Sequence, residues 1–250
     1  MELFEIVDFL NELLKVDEWQ DKSKNGLQVE GKKEVNKVAF AVDACMDVFE
    51  KAKEIGADMI VVHHGLIWGG IEYVRGIVRR RLEFLLKNEI SLYAVHLPLD
   101  AHPSIGNNAQ ILKNLDLEPV EGFGVYQGRE IGYIGTYDKA MSLDSVLKLI
   151  GERINPNLTV LRFGSEKVKR VGVVSGRGGF ALDEGIEKGI DLFLTGEHDH
   201  SIYHLAKEGE VNVVFAGHYA TETFGVKALM KVVGQEFDVD VAFIDCPTGL

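Results

Sequence analysis

The sequence predicts an α/β fold of two associated domains, built from pseudo-repeated β-α-β units with mostly parallel sheets. Three observations carry this expectation. Short apolar runs alternate with amphipathic helical stretches along the 250 residues, the pattern of strands joined by helical crossovers. The order strand, helix, strand ending in His, helix, strand ending in His or Asp, helix occurs in the front half and again in the back half. Between the halves, residues 119–137 change character, with Gly122, Gly124, Gly128, Gly132 and Gly135 punctuating β-rich segments. These read as antiparallel strands at a boundary, giving a first domain over residues 1–122 and a second over 123–250.

The opening helix follows from Leu3, Ile6, Phe9, Leu10, Leu13 and Leu14, with Glu2, Glu5, Asp8 and Glu12 among them, an amphipathic acidic stretch without the basic start of a signal peptide. Residues 21–33 form a polar loop with turn residues at both ends, suited to line a site or to make a hairpin. A buried strand at 38–42 ends at Asp43, and a helix at 46–55 is closed by Gly56. The next strand, 59–62, stops on His63 and His64. An apolar loop at 66–70 leads to a helix over 77–86 that bears Arg79, Arg80 and Arg81, read as a solvated face or a subunit contact. The strand at 91–95 ends at His96, with Asp100 shortly after, and a helix covers 107–115.

In the back half, Ser142 is a plausible N-cap for a helix to 154, and 158–162 is a strand. The strand at 171–174 enters Ser175, Gly176, Arg177, Gly178 and Gly179, a turn open to two readings: a phosphate cradle or a plain tight turn. A helix ends at Gly189, and the strand at 191–194 precedes Glu197, His198 and His200. Another helix ends at Gly209, the strand at 211–215 precedes His218 and Glu222, and a helix over 224–237 leads to a last strand at 241–244.

All eight histidines follow predicted strand ends or lie in the next helical turns, where parallel sheets collect their ligands. A buried strand ending in paired imidazoles reads as a metal site, although a pair alone also suits plain hydrogen bonding at a strand end. Asp100, Glu197 and Glu222 occupy equivalent places, and mixed imidazole and carboxylate donors suit zinc, manganese or ferrous iron. His218 and Glu222 stand at i and i+4, on one face if the helix has begun by Tyr219. With His63, His64, Asp100, His218 and Glu222 there are donors for two divalent ions, Glu222 bridging them. His96 and Glu197 are read as groups that orient ligands or carry protons, with capping or loop hydrogen bonds as the structural alternative. Tyr219 is a further proton-transfer candidate.

The formal net charge of −12 repels nucleic acid and anionic membrane as a mean field, so nucleic acid is a possible but unfavoured partner. Hydrophobic content of 46% supports a real core, and no apolar run reaches membrane-spanning length. Two cysteines far apart, in no C-x-x-C arrangement, indicate neither a disulfide framework nor a thiolate zinc site, and fit a cytoplasmic location.

Residues 25–31 (NGLQVEG), 62–65 (VHHG), 96–110 (HLPLDAHPSIGNNAQ), 194–197 (LTGE) and 217–222 (GHYATE) resemble the GTP cyclohydrolase 1 type 2 homologues, also called Nif-three-like proteins, in their compact form without an inserted domain. The resemblance implies a dinuclear metal site between two α/β domains. It implies His63, His64, Asp100, His218 and Glu222 as ligands, and a toroidal homohexamer. The family's name implies hydrolysis of a nucleotide-like small molecule. The leading expectation is a metal-dependent hydrolase; the alternative is a ring-shaped scaffold or a nucleic-acid- or protein-binding module with structural metals.

Overall fold

The computed structural model describes residues 1–250. The chain forms two compact units, one comprising Met1–Leu99 and Val226–Cys246, the other Asp100–Gly225 and Pro247–Leu250. It is a mixed α/β protein with two sheets, and no helix is long and apolar enough to cross a membrane.

The first unit opens with α1 (Leu3–Leu14), which buries Leu3, Ile6, Val7, Leu10 and Leu14. That stripe is the one the apolar spacing predicts. It stops at Lys15, whose left-handed φ of 49° ends the helical ladder. Then come β1 (Gly26–Val29), β2 (Lys37–Asp43), α2 (Met46–Glu54), β3 (Met59–His64), α3 (Gly76–Lys87) and β4 (Ser91–Ala94). β2, β3 and β4 are parallel, joined by the helical crossovers α2 and α3. β1 lies antiparallel on the outer edge of β4, with Leu27 opposite Tyr93. The loop expected at 21–33 thus contains an edge strand. The core of this sheet, around Phe49, Ile60, Val62 and Leu92, is solvent-free.

After α4 (Leu97–Asp100), the second unit holds α5 (Asn107–Asn114), β5 (Pro119–Tyr126), β6 (Arg129–Ser142), α6 (Leu143–Arg153), β7 (Thr159–Leu161), β8 (Lys167–Val174), α7 (Leu182–Glu187), β9 (Leu192–Thr195), α8 (Tyr203–Glu208) and β10 (Asn212–Phe215). Ser142 caps α6 as expected, accepting from Ser145 N at 3.2 Å. β8, β9 and β10 are parallel, while β5, β6 and β7 add antiparallel margins. The run β8-α7-β9-α8-β10 repeats the plan of β2-α2-β3-α3-β4, so the duplication read from the sequence holds at the level of three parallel strands.

The division between units differs from the expected one at 122/123. That point lies inside β5, which pairs with β6 along its length, so the glycine-rich stretch begins the second sheet and marks no boundary. The first division falls after Leu99, which places Asp100 in the second unit. The last helix, α9 (His218–Glu236), starts six residues earlier than the expected 224 and crosses from the second unit into the first after Gly225. β11 (Asp240–Phe243) then pairs parallel with β2, with Val241 opposite Val38.

Candidate metal centre

In the first unit three imidazoles gather at the carboxyl ends of β3 and β4. Their ring centroids lie 4.7 Å (His63 to His64), 5.1 Å (His63 to His96) and 5.7 Å (His64 to His96) apart, and ligand nitrogens from all three fall within 4.8 Å of one another. Each ring is anchored through Nδ1. His63 donates to Val95 O at 3.0 Å, and His64 to Asp43 Oδ1 at 2.8 Å. The second contact follows from register, since Asp43 is the Cα partner of His64 across β2 and β3. His96 donates to the Asp21 carboxylate at 3.1 Å. An Nδ1 committed in this way fixes tautomer and orientation, and leaves Nε2 as the nitrogen that meets a metal.

The loop before β1 supplies the holding groups. Asp21 also accepts from the backbone N–H groups of Ser23 and Leu97 and from the Asn25 amide, each at 3.1 Å. Burial pushes the Asp21 carboxyl up, but the His96 imidazole and these donors outweigh it and hold it at about 2. Asn25 Oδ1 accepts from His96 N at 2.8 Å. Gln28 Oε1 accepts from Leu66 N and Ile67 N at 2.7 and 3.0 Å, pinning the loop after the histidines. Gly65 is required there, because a Cβ would collide with Gln28 and Ala94. Trp68 stands edge-on to His96 at 5.0 Å, a neighbour that no feature of the sequence singles out.

In the second unit the donors are carboxylate-rich. Asp100 is buried and its Oδ1 accepts from Asn107 Nδ2 at 2.8 Å and Ser175 Oγ at 3.0 Å. Because α9 begins at His218, the i, i+4 pair does share one face: His218 Nε2 lies 2.9 Å from Glu222 Oε2. Ligand oxygens of Asp100 and Glu222 fall within 4.8 Å of each other. His218 Nδ1 donates to Glu197 Oε1 at 2.7 Å, the anchoring scheme of the first unit again. Burial disfavours the charged imidazole of His218, yet the carboxylates of Glu222 and Glu197 prevail and raise its pKa to about 9. A cation would take the place of that proton.

The glycine-rich turn after β8 serves this cluster. Gly176, at φ +58°, leaves room for Glu222, into which a Cβ would run; that Cβ would also stand 3.1 Å from His218 Nε2. The backbone N–H groups of Gly176 and Gly178 donate to Thr221 Oγ1 and Thr195 Oγ1, both at 3.0 Å. With those donors committed to protein hydroxyls, the phosphate-cradle reading of residues 175–179 falls and the tight turn stands. Arg177 is exposed and lies 3.7 Å from Glu197.

Beside Glu197, at the carboxyl ends of β9 and β10, is a cleft of about 900 Å³ whose walls include Asn155, Asn157, Thr159, His198, Tyr219 and Leu250. Tyr219 therefore lines the same cleft as Glu197. The other histidines do not join either cluster. His198 stacks on Phe215 at 4.9 Å, His102 Nδ1 accepts from Ser104 N and Ile105 N in a turn, and His200 and His204 are exposed.

Both donor sets fit divalent cations: imidazoles oriented by carboxylate or carbonyl, and buried carboxylates whose charge a cation would offset. The chain matches the model of the Duf34/NIF3 (NGG1p interacting factor 3) family over residues 1–248. It is 54% identical over 250 residues to a GTP cyclohydrolase 1 type 2 homolog of Archaeoglobus fulgidus and 55% identical over 251 residues to one of Pyrococcus horikoshii, with 100% of both chains covered in each case. Among solved structures, TTHA1606 from Thermus thermophilus shares 41% identity at a TM-score of 0.89, with both chains covered fully. A protein described as ybgI, of unknown function, shares 36% identity at 0.93, with 99% of each covered.

Proposed function

The chain belongs to the Duf34/NIF3 family, and on that footing we propose that it is a divalent-metal-dependent hydrolase of a small, nucleotide-like molecule. In this reading His63, His64, Asp100, His218 and Glu222 would hold the two ions. The observation that carries it is the common anchoring of His63, His64, His96 and His218 through Nδ1, an arrangement that plain strand-end hydrogen bonding does not require four times. Zinc, manganese or iron ions supply Lewis acidity and activation of water.

The side chains divide the remaining work. Asp21 holds His96, and the pair is suited to proton transfer. Glu197 positions His218, and Tyr219 lines the cleft. The cleft lining contains Asn155, Asn157 and Thr159 but neither lysine nor arginine, which suits the uncharged ring of such a substrate better than its phosphates. The homohexamer implied by the family resemblance would need an interface, for which the exposed apolar run Trp68, Ile71, Tyr73, Val74 and Ile77 is a candidate surface; light scattering checks the number of copies.

The deciding experiment is a hydrolysis screen of nucleotides and related metabolites with metal-loaded protein. Turnover of one class, lost in Glu222→Ala, supports the proposal. Stoichiometric metal binding with no turnover of any compound overturns the hydrolase assignment.

A further inference from the structure

Cys45 and Cys246 are 201 positions apart in sequence and in no recognisable motif, yet the first unit folds them together. β11 runs parallel to β2 with Phe243 opposite Phe40, and Ile244 N donates to Phe40 O at 2.8 Å. Just past these rungs both strands end. Cys45 is the residue before α2, and Cys246 follows β11 by three positions. Both side chains are partly buried against one apolar cluster that includes Ala44, Val48 and Ile244, and the two thiols lie close enough to interact.

We propose that this pair is a redox-active dithiol, which a hydroperoxide converts to an intramolecular Cys45–Cys246 disulfide that ties the edge strand β11 to the turn between β2 and α2. One thiolate attacks the peroxide oxygen, forming a sulfenic acid and releasing water after protonation. The second thiol attacks that sulfur and expels another water. Two electrons pass from the two sulfurs to the peroxide, so two thiols and one H₂O₂ give one disulfide and two waters. Burial and the neighbouring Cys45 push the Cys246 thiol up, with Asp47 adding to this and Lys51 opposing it. Oxidation therefore quickens as pH rises from neutral.

The crosslink bears on a second element. Only Ala44 separates Cys45 from Asp43, whose carboxylate holds His64 Nδ1, and Ala44 N donates to His64 O at 2.9 Å. Oxidation therefore alters the footing of His64. This coupling rests on the proposed metal centre, whereas the disulfide does not.

The test uses the full chain, metal-free and reduced, treated with hydrogen peroxide, then denatured and alkylated. Expected are an intact mass lower by two hydrogens, no alkylation, recovery of both thiols with a reductant, and one peptide pair joining Cys45 to Cys246. Cys45→Ser and Cys246→Ser each abolish the internal crosslink. Oxygen added separately to the two cysteines of the unsubstituted chain, or crosslinks formed only between chains, overturns the proposal. Zinc titration of the reduced and crosslinked forms is expected to differ severalfold; equal affinities overturn the coupling to Asp43 and leave the disulfide standing.

Discussion

The two units present metal donors of opposite character on the same anchoring plan. In the first, three imidazoles are each held by a carboxylate or carbonyl. In the second, one imidazole sits against Glu222 and Glu197, with buried Asp100 contributing another carboxylate to the cluster. In the second, a cation must therefore displace the proton that these carboxylates hold on His218. Sequence alone shows donors in both halves, but the proton held on His218 depends on which groups its ring nitrogens meet.

The largest expected effect of the difference is on pH dependence. His218 is raised from its ordinary 6.5 to about 9, so its ion pair stabilises the metal-free fold fully below about 6.5, and that contribution is lost as pH rises through about 9. The loss is on the order of 3 kcal/mol, seen as a lower urea midpoint at pH 10 than at pH 7. Metal binding at this site must expel the same proton, so zinc affinity is expected to rise about tenfold per pH unit between about 7 and 9. Glu222→Gln flattens the stability profile in this range. An unchanged profile in that variant would break the contrast between the units.

Next in size are the holding carboxylates of the first unit. Asp43→Asn and Asp21→Asn keep the side-chain volumes but weaken the grip on His64 and His96. Each is expected to reduce zinc affinity by about 10- to 100-fold in isothermal titration without unfolding the protein. A loss of stability equal to the loss of affinity would make these contacts structural only. Smallest is Ser142→Ala, which removes the N-cap of α6 away from the donors. It should cost about 1 kcal/mol in chemical denaturation with no change in metal affinity, showing that stability and metal binding can be moved separately.

Much of this was legible in the sequence for identifiable reasons. Met59 to Val62 is apolar without interruption, so the strand ending at His63 and His64 was visible, and the i, i+4 spacing of His218 and Glu222 needed only an early helix start to become a pair. The doubled order of strands and helices foretold the two parallel cores. Long-range pairing was not legible. β1 is only four residues long, partly exposed, and hides in a polar loop, and β11 meets β2 across almost 200 residues. The unit boundary was misplaced because glycine-rich antiparallel strands resemble a linker when their partners are unknown. Asp21 and Asp43 carry no local signal, since a carboxylate in a loop or at a strand end is ordinary until the imidazole it holds is seen. The Cys45–Cys246 pair was hidden in the same way.

The most direct test of the metal centre is a count of bound ions. Metal-free protein equilibrated with excess zinc and then dialysed should retain two ions per chain, with His64→Ala and Glu222→Ala each retaining fewer while their circular dichroism is unchanged. Retention of two ions by both variants, or of none by the unsubstituted chain, would contradict the account.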